Sequence, residues 1–488
     1  MPSKPIILTT INARYGHTAF GLRWLWANLG ALREQAAIRE FHLSQPPLVI
    51  AEELLAAGPR LIGFGVYIWN IEPITQVVKT IRSVHPDVAL VLGGPEAGYE
   101  YEGADLFNAA DYFIRGEGEV AFARLAQAIL EGRGPLEKVI SAEAPDLAQL
   151  ALPYDAYTEE DIAHRTVFVE ASRGCPFQCE FCLSALDARV REFPLGPFLS
   201  AIERLVERGA RRLRFVDRTF NLREDRVETI LGFFKERWRD GMQLHLEILP
   251  DRLTERMIDL MAWFPRAGLH LEVGVQSFNP ESLEAVSRRQ DLEKTEANLR
   301  RLRLQTEAFV HADLIAGLPG ESWDSFAAGF DRLIALRPHE IQVGVLKRLK
   351  GTPIGRHVPT HAMVFADHPP YEVLQTGLLG FSEMQRLKRF ARYFGLYYNS
   401  GNFPTALELL WRTHASPFHA FMAFSDALWS RTGRTHELSL ARLARELHHF
   451  LVERDADGPD AVAATIERDF HRLPGRKDKL HLSEPPDP

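Results

Sequence analysis

Cysteine is almost absent: three occur in 488 residues, and all three lie between positions 175 and 182. An odd number packed into one short segment makes no disulfide framework, which excludes the stapled folds of small secreted domains. Long apolar runs are missing too, and none reaches the roughly 20 residues that a membrane-crossing helix needs. The start, MPSKPIILTTINARYG, has no signal-peptide cleavage region. Surplus positive charge is the third absence. With 57 Lys and Arg against 65 Asp and Glu the net charge is -8, which offers no footprint for non-specific nucleic-acid binding, though a local basic groove stays open. No internal repeat or low-complexity tract occurs. These absences lead us to expect a cytoplasmic chain whose partners include neither a membrane nor a nucleic acid. Its length exceeds what one hydrophobic core usually serves, so two or three domains are expected.

Residues 1–140 alternate short apolar runs with helical patterns. Pro5–Thr10, Ile38–Leu43, Leu61–Tyr67 and Val88–Leu92 read as strands, the last leading into Gly93 and Gly94. A further apolar run, Tyr112–Arg115, leads into Gly116 and Gly118. Uniformly apolar strands between helices indicate a parallel sheet covered on both faces, of flavodoxin or Rossmann type. Ligands of such sheets sit beyond the carboxyl ends of the strands, where these glycines fall and where a missing side chain permits close backbone approach. Residues 141–165 carry prolines and acids and read as a linker. A second βα series occupies 166–349, with strands expected at Thr166–Ser172, Arg212–Asp217, Gln243–Leu249, Leu269–Ser277, Phe309–Gly317 and Glu340–Lys347. Six βα units over roughly 180 residues are too few for a closed eight-stranded barrel of about 250 residues, so an open, partial (β/α)6 TIM-like barrel is expected. Residues 350–488 read as mostly helical, beginning with a helix over Tyr371–Phe394, and the final GRKDKLHLSEPPDP reads as frayed. The fold class is thus α/β with a helical C-terminal region.

The cysteines form Cys175-x-x-x-Cys179-x-x-Cys182 directly after a predicted strand. Thiolates hold iron–sulfur clusters, and three of them on four irons leave one iron open for a ligand. Zinc competes, but a structural zinc site takes four protein ligands, and the nearest histidines in sequence are His164 and His245. Three buried small hydrophobes would be the bland reading; this spacing argues against it.

CPFQCEFC resembles the signature of the radical S-adenosylmethionine superfamily, including the aromatic Phe181 before the last cysteine. The resemblance covers about residues 166–345. It implies a [4Fe–4S] cluster on Cys175, Cys179 and Cys182, with S-adenosylmethionine chelating the open iron and cleaved to methionine and a 5′-deoxyadenosyl radical. LEVGVQSFNP and HADLIAGLPGES resemble the fourth and fifth strand ends of coproporphyrinogen-dehydrogenase-like radical enzymes. By that likeness Gln276 and Asp313 bond the ribose hydroxyls, Arg288 pairs with the methionine carboxylate, and Glu247 also contacts the cofactor. The family's Gly-Gly-Glu-type turn is absent; VDRTFN stands in its place, leaving Asp217 as a charged acceptor for the amine. Capping or salt bridging is the alternative role for each of these polar groups.

The N-terminal region, with GGPEAG and RGEGE at its strand ends, is similar over about residues 5–125 to the cobalamin-binding domain of class B radical enzymes. The order of domains and NARYGHT resemble cobalamin-binding-domain radical proteins with a C-terminal domain of unknown function. Gly93, Gly94, Gly116 and Gly118 would then approach cobalamin. The Asp-x-His-x-x-Gly cobalt-ligand pattern is missing. His17 is the nearest histidine, better placed as a capping or surface group than as an axial ligand. Tyr67 and Trp69 either pack on the corrin or belong to the core, and Asn12, Arg14 and Tyr15 either contact corrin amides or substrate or form a hydrogen-bonded loop. The resemblance implies a cobalamin-dependent radical enzyme, most often a methyltransferase acting on unactivated carbon or phosphorus. Its expected partners are a small-molecule or peptide substrate and an electron donor such as flavodoxin or ferredoxin. Two alternatives stand beside it: a cobalamin-free RNA-modifying enzyme of methylthiotransferase type, and a cobalamin or redox sensor without turnover. The first lacks its usual additional N-terminal cysteines here.

Overall fold

A strand covered on both faces must be apolar at nearly every position, and the first strand, β1 (Ile6–Asn12), is buried along all seven residues. In the computed structural model it pairs in parallel with β2 (Ala36–His42) and β3 (Leu61–Gly65). Beyond β3 follow β4 (Ala89–Gly93), β5 (Tyr112–Arg115) and β6 (Val139–Ser141), giving the parallel order β2-β1-β3-β4-β5-β6. Successive side chains feed two cores, one on each face. Ile7, Ile11, Ile62, Phe64 and Leu90 lie on one side, and Ile6, Leu8, Leu61, Val91 and Phe122 on the other. The strand order reverses at β1 and β3, and the carboxyl ends beside such a switch point are where a sheet of this kind binds its ligand.

The structure describes residues 4–454, 458–472 and 480–482; most of GRKDKLHLSEPPDP therefore lies outside the described residues. The chain divides into two compact units: Met1–Glu247 with Arg348–Pro353 and Asp367–Tyr371, and Ile248–Lys347 with Ile354–Ala366 and Glu372–Pro488. Among the described residues no helix is long and apolar enough to cross a membrane.

The stretch 141–165, expected as a linker, contains ordered turns of its own. Pro153 opens a 3-10 turn, and Thr158 caps the helix Glu159–His164, whose first turn takes the three acids that favour a helix N-terminus. Tyr154 and Tyr157 are almost wholly buried, and their hydroxyls serve the edge of β7 (Val167–Val169) as a neighbouring strand would. Tyr157 accepts from the Phe168 amide at 3.0 Å and donates to its carbonyl at 2.7 Å, and Tyr154 does the same for Glu170 at 3.1 and 3.3 Å. Asp161 bonds Arg23 and Arg165, each at 2.7 Å, and both arginines also bond Glu40. All four side chains are at most 9% exposed. Prolines and acids looked like a connector because their caps and partners lie far away in sequence.

The βα rhythm continues in the first unit with β7, the short antiparallel pair β8 (Ser172–Arg173) and β9 (Arg191–Glu192), then β10 (Arg212–Phe215) and β11 (Gln243–Ile248). There β10 pairs in parallel with both β7 and β11. In the second unit β12 (Leu269–Gln276), β13 (Phe309–Ala316) and β14 (Glu340–Val345) form parallel ladders. Along β12 burial alternates strictly, so His270, Glu272, Gly274 and Gln276 share one face. The C-terminal aromatics form packing core. Phe330, Phe390, Phe394, Phe418 and Phe421 meet edge to face, tilted or, for Phe390 on Phe394, stacked, with ring centroids 5.0 to 5.8 Å apart. The helix expected from Tyr371 begins only at Phe381, because β15 (Val364–Phe365) and β16 (Val373–Gln375) pair first and Gly377 and Gly380 break the chain between them and the helix.

Candidate cofactor sites

The cysteine loop leaves β8 through Gly174, which holds φ at +87° and whose Cβ would lie 2.1 Å from the Arg189 carbonyl oxygen. Only glycine lets the chain pass there. Cys175 then donates its amide to Asp187, and Cys182 donates to Cys179 in a tight turn around Glu180 and Phe181. None of the three joins a disulfide, and Cys179 is buried while the others are partly exposed. Three thiolates on so short a loop fit a cluster held by three cysteines. Asp217 secures the entry to this loop. It accepts from the Ala171 amide at 2.9 Å and the Ser172 hydroxyl at 2.6 Å, and burial pushes its carboxyl up to about 6 despite those bonds. Glu247, at the end of β11, is engaged by Arg218 at 2.9 and 3.2 Å.

Three other predicted residues come together in the second unit. Gln276 ends β12 with φ at +71°, after a register shift between Gly274 and Gln276. A non-glycine residue held in the left-handed region marks stored strain of the sort found at ligand clamps. Gly274 leaves the room: a Cβ there would stand 2.5 Å from the Gln276 side-chain nitrogen and 3.4 Å from Arg288. Arg288 donates to the Gly274 carbonyl and, at 2.9 Å, to Gln290. Asp313 sits opposite Gly274 in the register; burial raises its carboxyl, and His311 and Arg288 partly counter this. The turn after β12 is braced by Glu321, which accepts from Ser277 at 2.5 Å and Ser325 at 2.6 Å.

The first unit also contains a cavity of about 550 Å³. The ends of β3, β4 and β5 wall one side through Gly65, Gly93, Gly94, Gly116 and Gly118, and Arg173, Gly174, Ser184 and Asp187 of the cysteine-loop region wall the other. Tyr67 lines it and stacks on Trp69 at 4.6 Å, while the Trp69 indole donates to Ile11. Gly94 has φ at +101°, and a Cβ there would clash with the Val66 carbonyl at 2.5 Å. At Gly93 a Cβ would meet nothing nearer than 3.9 Å. Two buried polar atoms on the lining have no hydrogen-bond partner: Oε2 of Glu119 and the indole nitrogen of Trp24. One accepts and the other donates, so the lining fits a large, mostly apolar ligand edged with amides, which corrin is.

Arg173 anchors this wall. It bonds Glu117 at 2.6 Å, Glu119 at 2.7 Å and Glu170 at 3.0 Å, with its guanidinium 4.7 Å from the Trp24 ring. Burial lowers its basicity, but the three carboxylates outweigh that and raise it. Burial likewise pushes Glu170 up from 4.5 to about 7, Arg173 offsetting only part of the effect. A carboxyl raised in the folded state favours folding below its unfolded value, and that advantage is lost as pH climbs through the folded value. Relative to Glu170→Gln, the wild type should therefore lose thermal stability between about pH 4.5 and about pH 7; parallel melting curves across that range would refute the assignment.

Three family models match the chain: a B12 binding domain at residues 7–126, the Radical SAM superfamily at 169–333, and a protein of unknown function (DUF4080) at 359–481. The chain carries a radical SAM domain together with a B12 binding domain. Its cofactors are accordingly a [4Fe–4S] cluster, S-adenosylmethionine and cobalamin. Similar curated proteins include the cobalamin-dependent radical SAM methyltransferase TokK of Streptomyces tokunonensis, 25% identical over 346 residues, covering 64% of this chain and 50% of TokK. Another is the 2-(S-pantetheinyl)-carbapenam-3-carboxylate methyltransferase of Streptantibioticus cattleyicolor, 24% identical over 328 residues, covering 60% of this chain and 48% of that enzyme. The chain thus spans about half the length of these relatives. Among solved structures, the radical S-adenosylmethionine methyltransferase TsrM from Kitasatospora setae aligns with TM-score 0.60 at 20% identity, covering 75% of this chain and 82% of TsrM. That likeness supports the fold: parallel sheets, a TIM-like radical domain and a helical C-terminal region.

The structure places the remaining candidates elsewhere. His17 bridges Thr166 and packs against Phe168, and it does not line the cavity. Asn12 donates to Glu40 and to the His17 carbonyl, and Tyr15 donates to Glu160, so these two belong to the ion network. Sequence reasoning missed Trp24, Glu119, Glu170 and Arg173. The acids of RGEGE and the arginine of SRGC were visible signals, but only the fold joins residues more than fifty positions apart.

Proposed function

We propose that this protein is an enzyme that cleaves S-adenosylmethionine and, with cobalamin, transfers a methyl group to an unactivated carbon of a small-molecule or peptide substrate. One observation carries the reading: residues of the cysteine-loop region and the glycine strand ends line the same cavity. When bound, the cluster supplies the electron that splits the sulfonium into methionine and a 5′-deoxyadenosyl radical, and cobalamin supplies a methyl carrier. The chain's own residues position and protect. Cys175, Cys179 and Cys182 hold three irons, and Asp217 fixes the chain where it enters their loop. Gln276 and Asp313 bond the ribose hydroxyls, and Arg288 pairs with the methionine carboxylate. Phe20, Leu22, Trp24, Phe64 and Tyr67 keep water and stray hydrogen donors from the cavity.

An electron donor such as flavodoxin or ferredoxin in a reducing cytoplasm suits a chain whose only cysteines serve the cluster. Anaerobic incubation of reconstituted enzyme with S-adenosylmethionine and a reductant should release 5′-deoxyadenosine, and a sensor would bind the cofactors without releasing it. Gln276→Ala should raise the Kd for S-adenosylmethionine about tenfold, the loss of one well-placed hydrogen bond to a buried ligand. Calorimetric titration showing unchanged affinity would contradict the strand-end assignment.

A further inference from the structure

We propose that the second unit holds a divalent transition-metal site, zinc in the first instance, on His270, His311 and Glu340. These residues come from β12, β13 and β14, and one ligand atom from each lies within 4.8 Å of the other two. His311 stands directly opposite Glu340 in the β13–β14 register and opposite Glu272 in the β12–β13 register. His270 lies on the same face of β12 as Glu272, its ring centroid 5.9 Å from that of His311. The strands therefore bring two imidazoles and a carboxylate to one point in a largely buried place.

The hydrogen bonding of His311 explains why a cation belongs there. Its Nε2 lies 3.1 Å from Asp313 Oδ1. An ionised carboxylate only accepts, so Nε2 carries a proton, and in the neutral ring Nδ1 then presents a lone pair. That lone pair faces Oε2 of Glu340 at 3.6 Å, beyond hydrogen-bonding distance. Asp313 and Glu340 flank the ring and favour positive charge on it, so at Nδ1 a metal ion would compete with a second proton. Two ligands bound at 2.0–2.1 Å to a tetrahedral ion stand about 3.3 Å apart, so this pair needs to close by only a few tenths of an ångström. Asp313 then plays the part of the carboxylate that orients a metal-bound histidine through its other nitrogen. Two imidazoles and one carboxylate form a donor set suited to zinc, and three protein ligands leave the fourth position for water or a substrate oxygen.

The site is independent of the cysteines, so iron and zinc can be counted separately on one sample. Cluster-loaded enzyme, dialysed against a chelator and then against zinc, should carry about one zinc beside about four irons per chain by mass spectrometry. Zinc should also raise its Tm. The double variant His270→Ala with His311→Ala should keep its iron and lose the zinc. Should that variant fold poorly, Glu340→Gln keeps the shape and removes the charge; it should lose the zinc-dependent rise in Tm and bind zinc at least about tenfold more weakly. A wild type that takes up no zinc, or a Glu340→Gln protein that binds it as tightly as wild type, overturns the proposal whatever happens to the iron.

Discussion

Cys179→Ala should strip the chain of its cluster, leaving iron near background and no detectable 5′-deoxyadenosine. The side chain is small and buried, and the change removes one sulfur while the Cys179 carbonyl still accepts the Cys182 amide at 2.9 Å. Gly174 and Asp217 fix the loop through backbone geometry and through Ala171 and Ser172, none of which this variant touches. The fold should therefore survive while the ligand set drops from three thiolates to two, and a site that already leaves one iron open then holds the cluster by half its corners. Far-ultraviolet circular dichroism should match wild type. The loss should appear in iron content and in the paramagnetic signal of the reduced cluster. A variant retaining about four irons and cleaving S-adenosylmethionine at the wild-type rate would defeat the assignment of these cysteines.

What could be read from the sequence divides along physical lines. Strands covered on both faces announce themselves as apolar runs, so β1, β3 and β4 were legible, as was the cysteine spacing. Gly94 was legible as a residue type, but the reason for it, the Val66 carbonyl 2.5 Å from where a Cβ would stand, comes from a neighbouring strand. The same holds for Tyr154 and Tyr157, which replace strand pairing by hydroxyl bonds to β7, and for Arg173, which gathers carboxylates from a strand end more than fifty residues earlier. Asp217 is instructive. Its place at a strand end was foreseen, yet its bonds to Ala171 and Ser172 make it a brace for the cysteine loop. Local pattern reports what a residue does for its own element; partners brought from a distance are reported only by the fold.

Gly93→Phe should abolish corrinoid binding while leaving the cluster and the cleavage of S-adenosylmethionine intact. Gly93 and Gly94 are neighbours on the same cavity wall but answer to different constraints. Gly94 needs its left-handed φ of +101° and has no space for a Cβ, so even Gly94→Ala must shift the backbone of β3 or β4 and cost stability. Gly93 is not among the residues with positive φ, and a Cβ there meets only the Ile114 carbonyl, at 3.9 Å. A Cβ is therefore accommodated at Gly93, and a phenyl ring carried on this lining residue takes up space in a cavity of about 550 Å³. Filling that space against the corrin should weaken cobalamin by at least about a hundredfold, or roughly 3 kcal/mol. Because the cysteines, Gln276, Asp313 and Arg288 are untouched, iron content should stay at about four per chain and 5′-deoxyadenosine should still form, now uncoupled from methyl transfer. Corrinoid absorbance after reconstitution and 5′-deoxyadenosine yield, measured on the same sample, read the two consequences separately. Cobalamin bound by Gly93→Phe with wild-type affinity would mean that the corrin lies somewhere other than this cavity.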